Sequence, residues 1–251
     1  MPSRARLGVV LAAVATLPPA PRANAQTVDQ VIARYLEARG GLQRIRAVQS
    51  LRFTGRMKLG EVETPLVVEL KRPLRMRTEF EVQGRRLVRA FDGQKGWTIL
   101  PVPGLDRPRL MPEDESKDAR EQADVDLSPL VDSAAKGYHV ELQGREKLEG
   151  RDAYRLLVRA ADGSERSLLL DARSALAVRS EEKRVMEGAL QEFVTLIGDY
   201  RPVAGLLFPH SIEVGPRGSP ERQRLTFERI EVNPPIDDAR FVMPAGNAAA
   251  N

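Results

Sequence analysis

The sequence has no cysteine and only two histidines, His139 and His210, among its 251 residues. Without cysteine there is no disulfide, no thiolate metal ligand, no cysteine nucleophile and no cysteine to carry a lipid after a signal peptide. Neither histidine has a second histidine or a cysteine at the spacing of a metal site. We therefore expect no metal and no cofactor, and stability must come from packing.

Motifs of the common enzyme classes are also missing. The sequence contains no Gly-x-Ser-x-Gly elbow, no glycine-rich phosphate loop and no His-Glu-x-x-His pattern. Adjacent acids such as Glu181-Glu182 and Asp237-Asp238 lie close to arginines, which is typical of solvated charges. Because these motifs are missing, we predict no catalytic residue and no enzymatic activity. A hydrolase would need carboxylates or His210 gathered in a cavity with perturbed ionisation.

The first 25 residues have the features of an export signal. Arg4 and Arg6 precede an apolar run over residues 7–17, and Ala-Asn-Ala at positions 23–25 matches a signal-peptidase site, so we predict cleavage before Gln26. The apolar run is too short to span a bilayer, and prolines follow it. We therefore expect an exported, soluble, periplasmic protein.

Removing that segment changes the charge balance. The chain has 39 basic and 35 acidic residues, and three of the basic ones lie in residues 1–25, which leaves 36 against 35. The charges are interspersed along the chain rather than clustered, as on the solvated face of a sheet. We therefore predict no binding to nucleic acid.

Apolar and charged residues alternate between positions 49 and 101. The alternation covers four runs, residues 51–59, 62–71, 74–82 and 87–100, the last of which contains a tight Asp-Gly turn. This period predicts antiparallel strands with one apolar and one wet face, and the short connections predict sequential neighbours. Turn signals continue to residues 187–188 and the last strands are predicted at 206–214 and 222–232, so we predict one curved sheet of about 11–12 strands.

Helical segments interrupt the strands. A stripe of apolar residues predicts a helix from Val28 to a stop at Gly40-Gly41, with one more short turn before the first strand. A second helix is predicted from Pro112 to about Ala123, followed by a short helical piece at residues 128–131. The insertion that contains them, residues 104–135, is interpreted either as a lid over a binding space or as a plain crossover connection.

Several segments resemble the exported bacterial proteins classed as outer membrane lipoprotein-sorting proteins, relatives of LolA and LolB. They are Gly-Gly-Leu at 40–42, the strand at 50–55, Lys-Arg-Pro at 71–73, the turn at 91–97 and residues 199–210. The resemblance extends from residue 28 to Pro244. It implies a mainly β fold, an open antiparallel half-barrel with helices over its mouth, and a cavity that takes acyl chains.

On this basis we predict three regions: a signal peptide (1–25), a LolA-like half-barrel domain (26–244) and a disordered tail (245–251). The predicted function is a monomeric carrier that shields the acyl chains of a lipid or lipoprotein. A protein of the inner or outer membrane is a possible further partner. The alternative is a sensor or scaffold that binds a protein through an outer apolar patch or an open edge strand.

The residues predicted to line the cavity are large or flexible apolar side chains of the four runs. They are Phe53, Met57, Val68, Met76, Phe80, Phe91 and Trp97. Methionine and aromatic residues suit a surface that accepts variable apolar partners. The alternative for each is ordinary core packing, which is the commoner role of such residues.

Overall fold

The computed structural model describes residues 26–186 and 189–245, with side chains except those of 185–189. The predicted signal peptide and all but the first residue of the predicted tail lie outside these residues. Within them the chain forms thirteen strands, three α-helices and one 3-10 helix.

The helices are α1 (Val28–Ala38), α2 (Leu42–Ala47) and α3 (Glu113–Gln122), with the 3-10 helix at Asp238–Arg240. The strands are β1 (Ser50–Leu59), β2 (Val62–Lys71), β3 (Arg75–Val82), β4 (Arg85–Phe91), β5 (Gly96–Ile99), β6 (Arg109–Leu110), β7 (His139–Leu148), β8 (Arg151–Arg159), β9 (Glu165–Asp171), β10 (Ala177–Met186), β11 (Ala189–Val203), β12 (Leu206–Pro216) and β13 (Gln223–Val232).

All thirteen strands form one antiparallel sheet in the order β6-β5-β4-β3-β2-β1-β13-β12-β11-β10-β9-β8-β7. Neighbours in the sheet are neighbours in sequence except at β1 and β13, where the last strand pairs beside the first. The sheet is curved and unclosed, so the predicted half-barrel class is confirmed. The thirteen strands exceed the predicted 11–12 because the two-residue β6 lies inside the insertion at residues 104–135, where no strand is predicted.

The predicted short helix at residues 128–131 is wrong, because this stretch forms turns. Leu127 and Asp132, which flank it, have φ values of 56° and 53°. These left-handed conformations are incompatible with helix propagation in either direction. The helices α1 and α2 occur where the apolar spacing predicts them, and α3 begins directly after Pro112, as the proline and the acids of its first turn predict.

The inner face of the sheet, defined here as the face that packs against α1, α2 and α3, holds two clusters of buried apolar residues. Val31 and Tyr35 of α1 pack with Leu156 and Leu168 over the second half of the sheet. Ile45 of α2 belongs to the larger cluster over the first half. The helices therefore bury the apolar side of the alternating strands, as the one-sided pattern requires.

The pairing of β12 with β13 is short. Only residues 211–214 of β12 pair with residues of β13, and a register shift beside Gly55 marks the neighbouring β1–β13 ladder. A Cβ atom added to Gly55 would overlap the carbonyl oxygen of Thr226. The close approach of β1 and β13 therefore requires glycine at this position.

We expect Gly55→Ala to lower the free energy of unfolding by about 1–3 kcal/mol, because the strands must separate to admit the methyl group. Gly198→Ala is the matched control, since Gly198 also lies in a strand but has no atom within 4 Å of an added Cβ. Urea denaturation of the three proteins measures the difference. Equal losses in both variants would contradict the assignment of a close approach to Gly55.

Candidate functional site

Six of the seven predicted lining residues lie together on the inner face. Phe53, Met57, Met76 and Phe91 are buried members of the larger cluster, while Val68 and Phe80 are partly buried and pack against it. The register explains the grouping: Phe53 lies opposite Val68, and Met76 lies opposite both Leu70 and Phe91. Alternation in the sequence therefore brings these side chains to one surface.

Trp97 lies on the outer face, away from the other six residues. It pairs with Ala90 and belongs to a separate small cluster with Val88. Its indole Nε1 donates a hydrogen bond of 2.6 Å to the carbonyl oxygen of Phe241, and the Arg77 guanidinium stacks 5.3 Å from the ring centre. Trp97 is therefore a core anchor for the C-terminal segment rather than part of the inner face.

The insertion at residues 104–135, called the crossing segment below, covers one end of this surface. This end, which we call the base, lies opposite the β1–β2 and β3–β4 turns. Met111, Ala119 and Val125 are buried in the same cluster as Phe53. The small side chain of Ala119 lets α3 approach β3, β4 and β5 closely. Side chains of the crossing segment therefore fill the space between the sheet and solvent at this end.

Nearer the hairpin tips the inner face remains partly open to solvent. Leu59 and Val62 are about half exposed, at 52% and 50%. Phe80, Ile212 and Leu225 are partly buried. We call these five residues the open strip. Of these five, only Phe80 is among the lining residues predicted from the sequence, although the alternation in β12 and β13 carries the same signal.

Two ion pairs connect α3 to the opposite half of the sheet. Lys117 pairs with Asp162 in the β8–β9 turn, and Arg166 of β9 donates to Glu121 at 3.2 Å. Because α3 also packs on β3–β5, it spans the mouth of the half-barrel. The hydrogen bonds from Lys117 and Ser164 hold the pKa of Asp162 below its usual range. Because its pKa is lowered, Asp162 is charged at neutral pH, and its contact with Lys117 is lost only as the pH falls through that lowered pKa.

Charged contacts also hold the end of the crossing segment. Asp126, which is nearly fully buried, pairs with Arg72 at 2.5 Å and with Lys136 at 2.6 Å. Lys136 also pairs with Asp124 at 2.6 Å. Burial by itself lowers the pKa of Lys136, but the hydrogen bonds with Asp124 and Asp126 outweigh it and raise that pKa. This end of the segment is therefore fixed more firmly than α3.

The described residues do not form a recognisable catalytic group. His210 is buried, and its Nδ1 lies 2.6 Å from the carbonyl oxygen of Phe227. Within residues 26–186 and 189–245, no group of three or more histidines or acids is placed to hold a metal. Over the same part of the chain, no helix is both long and apolar enough to cross a membrane.

A cleft of about 790 Å³ lies at the base of the sheet, outside the inner face. It is lined by residues such as Gln49, Lys71, Asn233 and Ile236, none of which belongs to the predicted site. By contrast, the inner face, which carries six of the predicted lining residues, is packed at its base and partly open along the strip.

No protein-family model and no curated protein matches the chain. Solved structures do match. One is a DUF1329 family protein from Desulfovibrio piger, with 13% identity, a TM-score of 0.59 and coverage of 86% of this chain and 97% of that chain. A LolA superfamily protein from Nitrosomonas europaea has 15% identity, a TM-score of 0.57 and coverage of 87% and 98%.

A putative outer membrane lipoprotein-sorting protein domain from Vibrio parahaemolyticus has 14% identity, a TM-score of 0.53 and coverage of 82% and 95%. These identities establish the fold alone. The chain has the fold of LolA-like proteins, and the resemblance predicted from its turn motifs is confirmed at that level.

We expect the double variant Lys117→Gln, Glu121→Gln to accelerate hydrogen exchange of the α3 amides severalfold, because both contacts to β8–β9 are lost. The thermal midpoint should change little, since exposed ion pairs contribute little to global stability. Lys147→Gln is the control, because it breaks a comparably exposed pair with Asp152, 2.9 Å long, away from α3. Exchange in α3 that is unchanged in the double variant would show that these pairs do not fix the helix.

Proposed function

We propose that the protein is a periplasmic carrier of a lipid or lipoprotein, related to the LolA-like proteins, that shields acyl chains on the inner face of its half-barrel. The observation that supports this most directly is the continuity of that apolar face. It runs from the buried cluster around Phe53 and Met57 to the partly exposed residues of the open strip. An apolar surface left partly exposed beside a core is typical of a binding surface.

The energetics of such a surface agree with the lack of a polar site motif. Burying one methylene group is worth about 0.8 kcal/mol, so a short length of acyl chain against the strip gives useful affinity. No directional contact is required for that gain. The flexible thioether of Met57 and the ring of Phe80 adapt to chains of different shape.

The crossing segment supplies a means of enlarging the surface. In its α3 contacts to β8–β9, the Arg166 side chain is partly buried and the other three are exposed, whereas Asp126 toward the other end of the segment is buried. Movement of α3 alone would expose Met76 and Phe91 beneath it. It would cost two ion pairs and the buried packing of Ala119 against the sheet, which a bound acyl chain would replace. Chain uptake would then proceed from the open strip toward the base.

A scaffold that binds a protein partner is the alternative function, and β7 is the element that bears on it. This ten-residue strand lies at one edge of the sheet, beside β8 alone. Its second half carries Arg145, Glu146 and Lys147, and a register shift at Gly144 interrupts the ladder. Charges and bulges of this kind discourage strand addition, so the carrier function is favoured.

The proposal is tested by titrating lipid-stripped protein with 1-decanol in a calorimeter. We expect saturable binding, and we expect Phe80→Asn to weaken it about tenfold, because the variant removes an apolar contact from the strip. Val67→Asn is the matched control, since Val67 is also partly buried but lies on the outer face, where it pairs with Glu79. The control should bind decanol as the parent does.

Two results would contradict the carrier function. One is the absence of any heat of binding with the parent protein. The other is an equal loss in Phe80→Asn and Val67→Asn, which would indicate a general effect on the sheet rather than a ligand on its inner face.

A further inference from the structure

A row of polar residues crosses β4, β5 and β6 on the inner face. Arg89 lies opposite Thr98, and Thr98 lies opposite Arg109, so the three side chains share one face of the sheet. Arg89 is two residues from Phe91 in β4, and Arg109 is two residues from Met111, both of which belong to the inner cluster. We call Arg89, Thr98 and Arg109 the basic row.

The two arginines of the basic row differ from most others in this protein. The described residues form 31 ion pairs, and neither Arg89 nor Arg109 takes part in one. The Nε atom of Arg109 is buried and has no hydrogen-bond partner among the described residues. The hydroxyl of Thr98 donates to the carbonyl oxygen of Val88 at 2.8 Å, and within the described residues no hydrogen bond joins it to either arginine.

Buried or half-buried guanidinium groups are normally paired, because removing their charge from water without a partner costs free energy. Both arginines are partly buried. The acids of the first turn of α3, residues 113–115, are exposed, and within the described part of the chain they form no ion pair with Arg89 or Arg109. Two unpaired guanidinium groups separated by one strand therefore leave a position for an anion.

Apolar residues of the same face lie directly beside this position. Leu87 lies two residues before Arg89 in β4, on the same face and nearer the β3–β4 turn. It pairs with Phe80 of the open strip. Arg85, one step further along the same face, is exposed and also forms no described ion pair. Positive charge and apolar surface are thus adjacent on one side of the sheet.

We propose that Arg89 and Arg109 bind the anionic head, a phosphate or carboxylate, of an amphiphile whose chain lies on the open strip. This rests on the proposed carrier function and specifies the class of its ligand. Guanidinium groups suit such heads because their planar donors form paired, charge-assisted hydrogen bonds with oxyanions. The buried Nε of Arg109 would gain the acceptor that the protein does not provide.

The test uses the full mature chain, stripped of lipid, and three probes: decyl phosphate, 1-decanol and inorganic phosphate. Calorimetric titrations are performed below the critical micelle concentration of decyl phosphate. The test variant is Arg89→Gln, Arg109→Gln. The control, Arg56→Gln, Arg86→Gln, removes the same number of charges from exposed positions on the outer face.

We expect the parent to bind decyl phosphate at least tenfold more tightly than decanol, with the difference decreasing as salt increases. The test variant should lose about tenfold in affinity for decyl phosphate and nothing for decanol. The control variant should behave as the parent. Circular dichroism of each variant verifies that the sheet is intact.

Several outcomes would overturn the inference. Equal affinities for decyl phosphate and decanol in the parent would exclude a headgroup site while leaving the carrier function in place. Inorganic phosphate that binds as tightly as decyl phosphate would assign the arginines to a free ion rather than to an amphiphile. Failure of both decyl probes to bind would instead contradict the carrier function itself.

Discussion

The structure depends on covering the apolar face of one long antiparallel sheet. Thirteen strands with alternating side chains produce a continuous apolar surface that must be kept from water. Two short helices before β1 and the crossing segment provide most of that cover, and they do so from one side of a curved sheet. The cover is incomplete near the hairpin tips, and the proposed function follows from that incompleteness.

The outer face of the first strands is stabilised in a different way. Glu69 is nearly fully buried there between Arg52, at 2.9 Å, and Arg240, at 2.5 Å. The C-terminal segment that carries Arg240 also buries Phe241 against Trp97. Removing one member of such a buried pair leaves an uncompensated charge, so the pair fixes the position of the C-terminal segment. The C-terminal segment thus covers this part of the outer face, whereas the inner face stays partly exposed near the hairpin tips.

Most of the fold could be predicted from the sequence because its signals are local. Period-two alternation and short turns define β1 to β5 and their order, and the apolar stripe defines α1. The turns around Leu127 and Asp132 could not be predicted, because Ser128 followed by Pro129 also suits the start of a helix. The positive φ values of Leu127 and Asp132 are incompatible with a helix, and the Arg72–Asp126 ion pair joins the same stretch to a distant part of the chain.

The candidate site was predictable only where strand register is unambiguous. Phe53, Met57 and Met76 share one face because each lies within an uninterrupted run. Trp97 follows a turn of four residues, 92–95, and the pairing of Phe91 with Gly96 places it on the opposite face. Its partner, Phe241, is distant in sequence and lies in a segment without alternation, so no local pattern indicates the contact.

The central claim is that the inner face holds an apolar ligand, and native mass spectrometry tests it most directly. The protein is purified gently from the periplasm, its mass is measured intact, and bound material is extracted with organic solvent. We predict a complex heavier than the mature chain that releases a lipid or an acylated peptide. A protein that is empty on purification, and stays empty when offered lipids, would contradict the account and identify the helices as permanent core.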